Sequence, residues 1–288
     1  MSMKQKIKKI LRTIVLLCKE REIIPVLTPV DYNCLLRGKV ALITGGSSGI
    51  GFAIAQAFVR SGCHVIIAGR KENILKDSCS YINNINNTCT GEVAKYIVLD
   101  VLDVTSMPEK IRLAASFFDK GRIDILVNSA GLTVKLPFEH TTEAEYDAVM
   151  GTNAKGTFFM CKAMAQYMIE NNIKGHILNV TSSSALRPAW TPYHMSKWAV
   201  RGFTLGLADM LLPYGIIVNA IGPGPTATPM LNKKQDESLY LGQCVAGRYA
   251  HPMEIASLAV FMVSDMGNLI IGDTFYITGG SGTISYHR

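Results

Sequence analysis

Tyr193 and Lys197 stand four positions apart in "TPYHMSKW" (191–198), shortly after a run of hydroxyls at Thr181, Ser182, Ser183 and Ser184. On a helix, residues four apart share one face, which would bring an ammonium within a few ångströms of a phenol. Free tyrosine titrates near pH ~10, so proton transfer at neutral pH asks for a downward displacement worth roughly 4 kcal/mol. A unit charge at ~4 Å and an effective dielectric of ~20 supplies about that much, while burial of the phenolate opposes it. A lone pair of this kind is more often a solvated patch of helix. Its meaning depends on the elements around it.

Those elements are short apolar runs alternating with helical patterns: "VALIT" (40–44), "HVIIAG" (64–69), "KYIVLD" (95–100), "IDILVN" (123–128), "HILNVT" (176–181), "IIVNAI" (216–221) and "TFYIT" (274–278). Continuous apolar runs separated by helices predict a doubly wound parallel sheet of Rossmann type, an α/β fold covered on both faces. Ligands of such sheets bind at the carboxyl ends of the strands.

The first run leads straight into "TGGSSGIG" (44–51) and then "FAIAQAFVRSG". Glycines between a strand and a helix allow a tight turn and the close approach of a pyrophosphate to backbone N–H groups. The second run ends in "IIAGRK", where an NAD site usually carries an acid for the ribose hydroxyl. Gly69 offers none, and Arg70 offers a planar, permanent cation suited to a 2′-phosphate. NADP(H) is therefore expected rather than NAD(H).

The chain of 288 residues, 48% hydrophobic, suffices for one large domain. Its seven cysteines are odd in number, scattered and free of CxxC or Cys/His clusters, which fits a reducing, cytoplasmic setting and no structural metal. The net charge of +7 is concentrated at one end: residues 1–22 hold seven Lys and Arg against two Glu. Ile7, Ile10, Leu11, Ile14 and Leu17 fall at helical spacing there, and Pro25 and Pro29 end the stripe. The expected domains are thus a basic helical arm over 1–37 and a catalytic domain over 38–288. A packed arm is preferred to a membrane anchor because the stripe is short. "IVLLC" is too short for a signal peptide, and no apolar run approaches the ~18–20 residues of a membrane span. Nucleic acid is not an expected partner, since no aromatics interleave with the lysines.

Together these segments resemble the short-chain dehydrogenase/reductase family, over about residues 38 to 284. The resemblance rests on "TGGSSGIG" (44–51), "NSAG" (128–131), Asn153 in "GTNAKGTF", "VTSSSA" (180–185), "YHMSK" (193–197), "VNAIGPGPTAT" (218–228) and "GDTFYITGG" (272–280). It implies that Tyr193 exchanges a proton with a carbonyl or alcohol oxygen, that Lys197 lowers the phenol's pKa and binds the nicotinamide ribose, and that Asn153 positions a relay water. A serine at the preceding strand end would hold the substrate oxygen. Ser182 is preferred, although it lies only eleven residues before Tyr193, and Ser183 and Ser184 stay open.

The resemblance further implies cofactor contacts at Thr44, Gly45, Ser47, Ser48, Gly49, Ile50, Gly51, Arg70, Ala130 and Gly131. Asn128 would hold the strand bordering the adenosine pocket. Asp100 or Asp103, with Asp103 preferred, would meet the adenine. Pro223, Gly224 and Thr228 would shape the nicotinamide pocket, with Ile221 nearby. His194 and Trp190 are expected at the rim. "MLNKKQDESLYLGQ" (230–243) falls where the family carries a substrate lid: Met230 and Leu231 could cover an apolar substrate, and Lys233 and Lys234 could meet a phosphorylated carrier.

The implied activity is NADP(H)-dependent hydride exchange with a carbonyl or secondary alcohol: a 3-oxoacyl thioester, a sugar ketone or a small hydroxy-ketone. A homotetramer or dimer would form through helices including 151–173 and 192–213. The contrasting reading is a nucleotide-sensing or scaffold protein without turnover. Retention of both Tyr193 and Lys197 speaks against it.

Overall fold

The apolar runs become the strands of one parallel sheet: β1 Val40–Thr44, β2 His64–Gly69, β3 Ala94–Val98, β4 Ile125–Asn128, β5 His176–Val180, β6 Ile217–Pro223 and β7 Thr274–Ile277. Their order across the sheet is β3-β2-β1-β4-β5-β6-β7, and every neighbouring pair is parallel. The computed structural model describes residues 34–85, 91–133, 137–233, 238–242 and 244–284. Of the basic arm expected over 1–37, residues 1–33 lie outside them, as does Lys234.

The chain divides into two compact units, Met1–Asp31 and Tyr32–Arg288. Ahead of β1, Leu36 is fully buried, and its N–H donates to the Ser61 carbonyl at 2.9 Å.

The helices are α1 Gly49–Arg60, α2 Glu72–Asn84, α3 Met107–Ala115, α4 Glu143–Met150, α5 Thr157–Glu170, α6 Pro192–Leu211 and α7 Pro252–Val263. Two apolar clusters sandwich the sheet. One joins Ile54, Phe58, Leu75 and Ile255 from α1, α2 and α7; the other joins Met107, Met160, Met164 and Leu207 from α3, α5 and α6. The sheet is thus covered on both faces, which is why its strands read as unbroken apolar runs.

Strand ends depart from the sequence expectation where polar side chains intervene. β4 opens at Ile125, because the Asp124 carboxylate accepts the Val40 N–H at 2.9 Å. β3 stops short of Asp100, whose carboxylate accepts the Leu102 N–H at 3.0 Å in the following turn. The helix expected from 151 begins at Glu143, where Thr142 and Glu145 form a capping box. It then passes through a π-helical segment, Gly151–Gly156, before continuing as α5.

The sheet reverses its winding between β1 and β4. Doubly wound sheets open a crevice there, outside the carboxyl ends of the strands.

Candidate active site

The glycine loop lines this crevice. Gly45 has φ of +66°, and a Cβ placed on it would lie 2.8 Å from the Ala130 nitrogen. A Cβ on Gly51 would collide with the Gly45 carbonyl. Only glycine lets the loop close on itself and on the β4 end at these two positions. Thr44 fastens the same junction, its buried hydroxyl accepting the N–H groups of Ser129 and Ala130 at 3.2 Å each. Ser48 precedes α1 without capping it through its side chain, so the first N–H groups of α1 are left for a ligand.

Across the crevice, local sequence sets Tyr193 and Lys197. The Thr191 hydroxyl accepts the His194 N–H at 3.3 Å, and Pro192 occupies the first turn, so α6 starts where the pair needs it. The two side chains share a face, with Lys197 Nζ 5.6 Å from the Tyr193 ring centre. Ser182 is the hydroxyl of the run whose side chain acts on the phenol, favouring its charged form. It also accepts the Ser184 N–H at 3.1 Å, which holds the turn in place. Ser183 and Ser184 line the same cavity.

The electrostatics differ from the sequence expectation. Burial pushes the Tyr193 phenol above its ordinary value, and the hydrogen bond with Ser182 is what pulls it back. The Lys197 ammonium donates instead to the Val180 carbonyl at 3.0 Å. Burial brings Lys197 itself down to about 8. Of the two effects on Tyr193, burial is the larger, so the phenol's net displacement is upward.

Asn153 sits in the π-helical segment, and its side chain is fully engaged. Its amide donates to the Leu132 carbonyl at 2.9 Å and the Ser196 hydroxyl at 3.0 Å, while its oxygen accepts the Leu132 N–H at 2.9 Å. The Ser196 hydroxyl in turn donates to the Tyr193 carbonyl at 2.7 Å. The amide is thus a latch between the β4 end and α6.

One cavity of about 350 Å³ joins the two sides. Its walls include Gly45, Ser48, Gly49, Ile50, Ala130, Gly131, Ser182, Tyr193, Lys197, Pro223, Gly224 and Thr228, all singled out by sequence. Met230 and Leu231 also reach it, as a lid residue should.

Other expected residues lie outside this cavity. Ser47 faces Gly69 at the end of β2, next to the exposed Arg70. Asn128 is buried and donates to the Asn179 oxygen at 2.9 Å, tying β4 to β5. Asp103 caps a short turn, accepting from the Thr105 hydroxyl at 2.8 Å and the Ser106 N–H at 3.4 Å. The half-buried Asp100 stands nearer the strand end. Ile221 is fully buried within β6, its carbonyl accepting the Thr181 N–H. Trp190 and His194 stack at 4.6 Å beside the cavity.

Sequence reasoning passed over Arg187, Thr226 and Ser281, which also line the cavity. Arg187 and Ser281 meet from 94 positions apart, a distance at which spacing carries no information. Among the described residues no group of three His, Cys, Asp or Glu could hold a metal ion, and no helix is long and apolar enough to cross a membrane.

A profile for short chain dehydrogenases matches residues 39–239. Gluconate 5-dehydrogenase of Gluconobacter oxydans is 33% identical over 251 residues, covering 85% of this chain and 95% of its own. The chain belongs to the short-chain dehydrogenase/reductase family. Solved members share the architecture. A tryptophan variant of actinorhodin polyketide ketoreductase, with NADPH, superposes with a TM-score of 0.75 at 27% identity, over 85% of this chain and 98% of its own. The 3-ketoacyl-(acyl-carrier-protein) reductase of Brucella melitensis, complexed with NADH, does so with a TM-score of 0.75 at 29% identity, over 86% and 100%. The protein is an oxidoreductase, and family members bind a nicotinamide cofactor.

Proposed function

We propose that this short-chain dehydrogenase/reductase is an NADP(H)-dependent carbonyl reductase or secondary-alcohol dehydrogenase. The observation that carries this reading is that Ser182, Tyr193 and Lys197 line one wall of a cavity whose far side is the glycine loop.

A dinucleotide fits this chain. Gly45 and Gly51 clear the space, the uncapped start of α1 offers N–H groups to a pyrophosphate, and the cavity runs from there to Lys197. When bound, the nicotinamide supplies the hydride. Ser182 orients the substrate oxygen against Tyr193, and Tyr193 gives that oxygen its proton in reduction or takes it in oxidation. Lys197 holds a positive charge beside this exchange and donates to the ribose. Asn153 is a positioning residue that locks α6 to the β4 end. Thr44, Ser47, Ser48, Gly49, Ile50, Ala130 and Gly131 form the cofactor cradle, with Asn128 behind it.

Arg70, exposed beyond β2 where a carboxylate would serve NAD, favours NADP through a charge-assisted bond to the 2′-phosphate. At the adenine Asp100 is favoured over Asp103: it stands nearer the end of β3 and accepts one backbone N–H, whereas the Asp103 carboxylate accepts both the Thr105 hydroxyl and the Ser106 N–H. Pro223, Gly224 and Thr228 form the nicotinamide side.

The named relatives act on gluconate, a polyketide and 3-ketoacyl carriers, so the substrate is a small-molecule ketone or secondary alcohol of one of these classes. Phe158, Trp198 and Leu205 leave apolar surface on α5 and α6, which supports a homo-oligomer, dimer or tetramer, through these helices. A cytoplasmic setting fits the free cysteines, and the arm serves assembly rather than chemistry. A panel of ketones and keto acids assayed with NADPH and with NADH tests the reading. Turnover of none would reject it.

A further inference from the structure

Arg187 is a half-buried guanidinium on the cavity wall, and no acid stands among the described residues that line the cavity with it. The described residues lining the cavity include Arg187 and Lys197 and no Asp or Glu. The polar partner of the Arg187 head is neutral: one nitrogen donates to the Ser281 hydroxyl at 2.7 Å. A cation withdrawn from water without a counter-charge is costly, and an anionic ligand relieves that cost.

The fold also holds the Arg187 backbone in place and confines its side chain. Trp198 donates its indole N–H to the Arg187 carbonyl at 2.8 Å. The turn at Gly282, with φ of +89°, lies so close that a Cβ there would be 3.2 Å from the Arg187 Nε. The group therefore stands ready on the turn that also carries Ser182, and its field reaches His194, where it adds to the lowering caused by burial.

We propose that Arg187 binds a carboxylate carried by the substrate, so that the substrate is an oxo acid or hydroxy acid rather than a neutral ketone or alcohol. The inference rests on the reductase reading for the reacting carbonyl and adds the acid group beside it. A single guanidinium with one neutral partner matches a monoanion through a bidentate pair. A phosphate dianion would call for a second cation, and Lys197, the other cation among the described residues lining the cavity, is assigned to the reacting oxygen and the cofactor ribose.

The test is calorimetric titration of the NADPH-loaded protein with matched acids and neutral analogues: gluconate against glucitol, and 3-hydroxybutyrate against 1,3-butanediol, with glucitol 6-phosphate as a third arm. At least one acid is expected to bind about tenfold or more tighter than its neutral partner. Arg187→Met is expected to abolish that preference, weakening the acid by about tenfold to a hundredfold, while Arg187→Lys keeps part of it. Affinity for NADPH should be unchanged in both variants.

Equal affinity within both pairs, binding by neither acid, or a preference that survives Arg187→Met overturns the proposal. So does a parallel loss of NADPH affinity, which would make Arg187 a cofactor residue, or tightest binding by the phosphate. Because the readout is binding, a protein that discriminates acids yet reduces no carbonyl would reject the reductase reading and leave the Arg187 site standing.

Discussion

Replacing Lys197 with methionine should make the ligand-free protein more stable at neutral pH, even as it removes activity. Burial carries the Lys197 ammonium from 10.5 down to about 8. At about 1.4 kcal/mol per pH unit, confining the charge costs about 3 kcal/mol. Methionine keeps much of the stem and drops the charge, although it leaves the Val180 carbonyl without its donor, a loss of about 1 kcal/mol. The net gain is about 2 kcal/mol, or roughly 4–8 °C in Tm for a domain of this size.

The sign of the pH dependence follows from proton counting. Below pH 8 lysine is charged in both folded and unfolded chains, and the full cost applies. Between 8 and 10.5 the unfolded chain holds more protons than the folded one, so the wild-type protein gains stability as pH rises. The methionine advantage should therefore be largest at pH 7 and almost gone near pH ~9.5. Urea denaturation of both proteins at the two pH values measures it. A Lys197→Met protein that is less stable at pH 7, or an advantage that does not shrink with pH, would refute the electrostatic account of this site.

Three further outcomes can be checked directly. Ser182→Ala removes the bond that pulls the buried phenol down, so the rising limb of the alcohol-oxidation pH profile should move to higher pH, because phenolate is the required base; an unmoved limb would mean Ser182 only holds substrate. Arg70→Ala should cut the NADPH-over-NADH preference by about ten- to a hundredfold in kcat/KM, since a charge-assisted bond is worth roughly 1.5–3 kcal/mol, and wild-type protein with equal kinetics for both cofactors would contradict the assignment. Gly51→Ala should weaken NADPH binding by about tenfold or more in calorimetry, because overpacking the Gly45 carbonyl costs ~1–3 kcal/mol and displaces the loop; normal affinity would show that the loop can give way.

Much of this site was legible because its parts are local. The apolar run Val40–Thr44 leads into the glycine loop, and Thr191 and Pro192 start the helix that pairs Tyr193 with Lys197. These are features of spacing and turn chemistry that one stretch of chain contains. What sequence could not reveal depends on partners brought from elsewhere. The amide of Asn153 is consumed by Leu132 and Ser196, and Arg187 meets Ser281 across the domain. Asp103 is preferred to Asp100 in a sequence where the Asp-Val dipeptide occurs twice, and the spacing does not show that the Asp103 carboxylate accepts two groups of its own turn where that of Asp100 accepts one. The acidity of the phenol depends on such partners too. Helical spacing placed Lys197 near Tyr193, but burial and the Val180 carbonyl decide where the ammonium points.

The central claim is that Tyr193 transfers the proton while other residues hold the cofactor. Tyr193→Phe isolates it, since the substitution removes one oxygen and leaves the ring. The decisive measurement is NADPH consumption by wild-type and variant protein on the best carbonyl of the panel, with NADPH affinity determined calorimetrically on the same samples. Turnover should fall by ~10²–10⁴ while affinity stays within about twofold. Near-normal turnover in the phenylalanine variant would contradict the mechanism at its core.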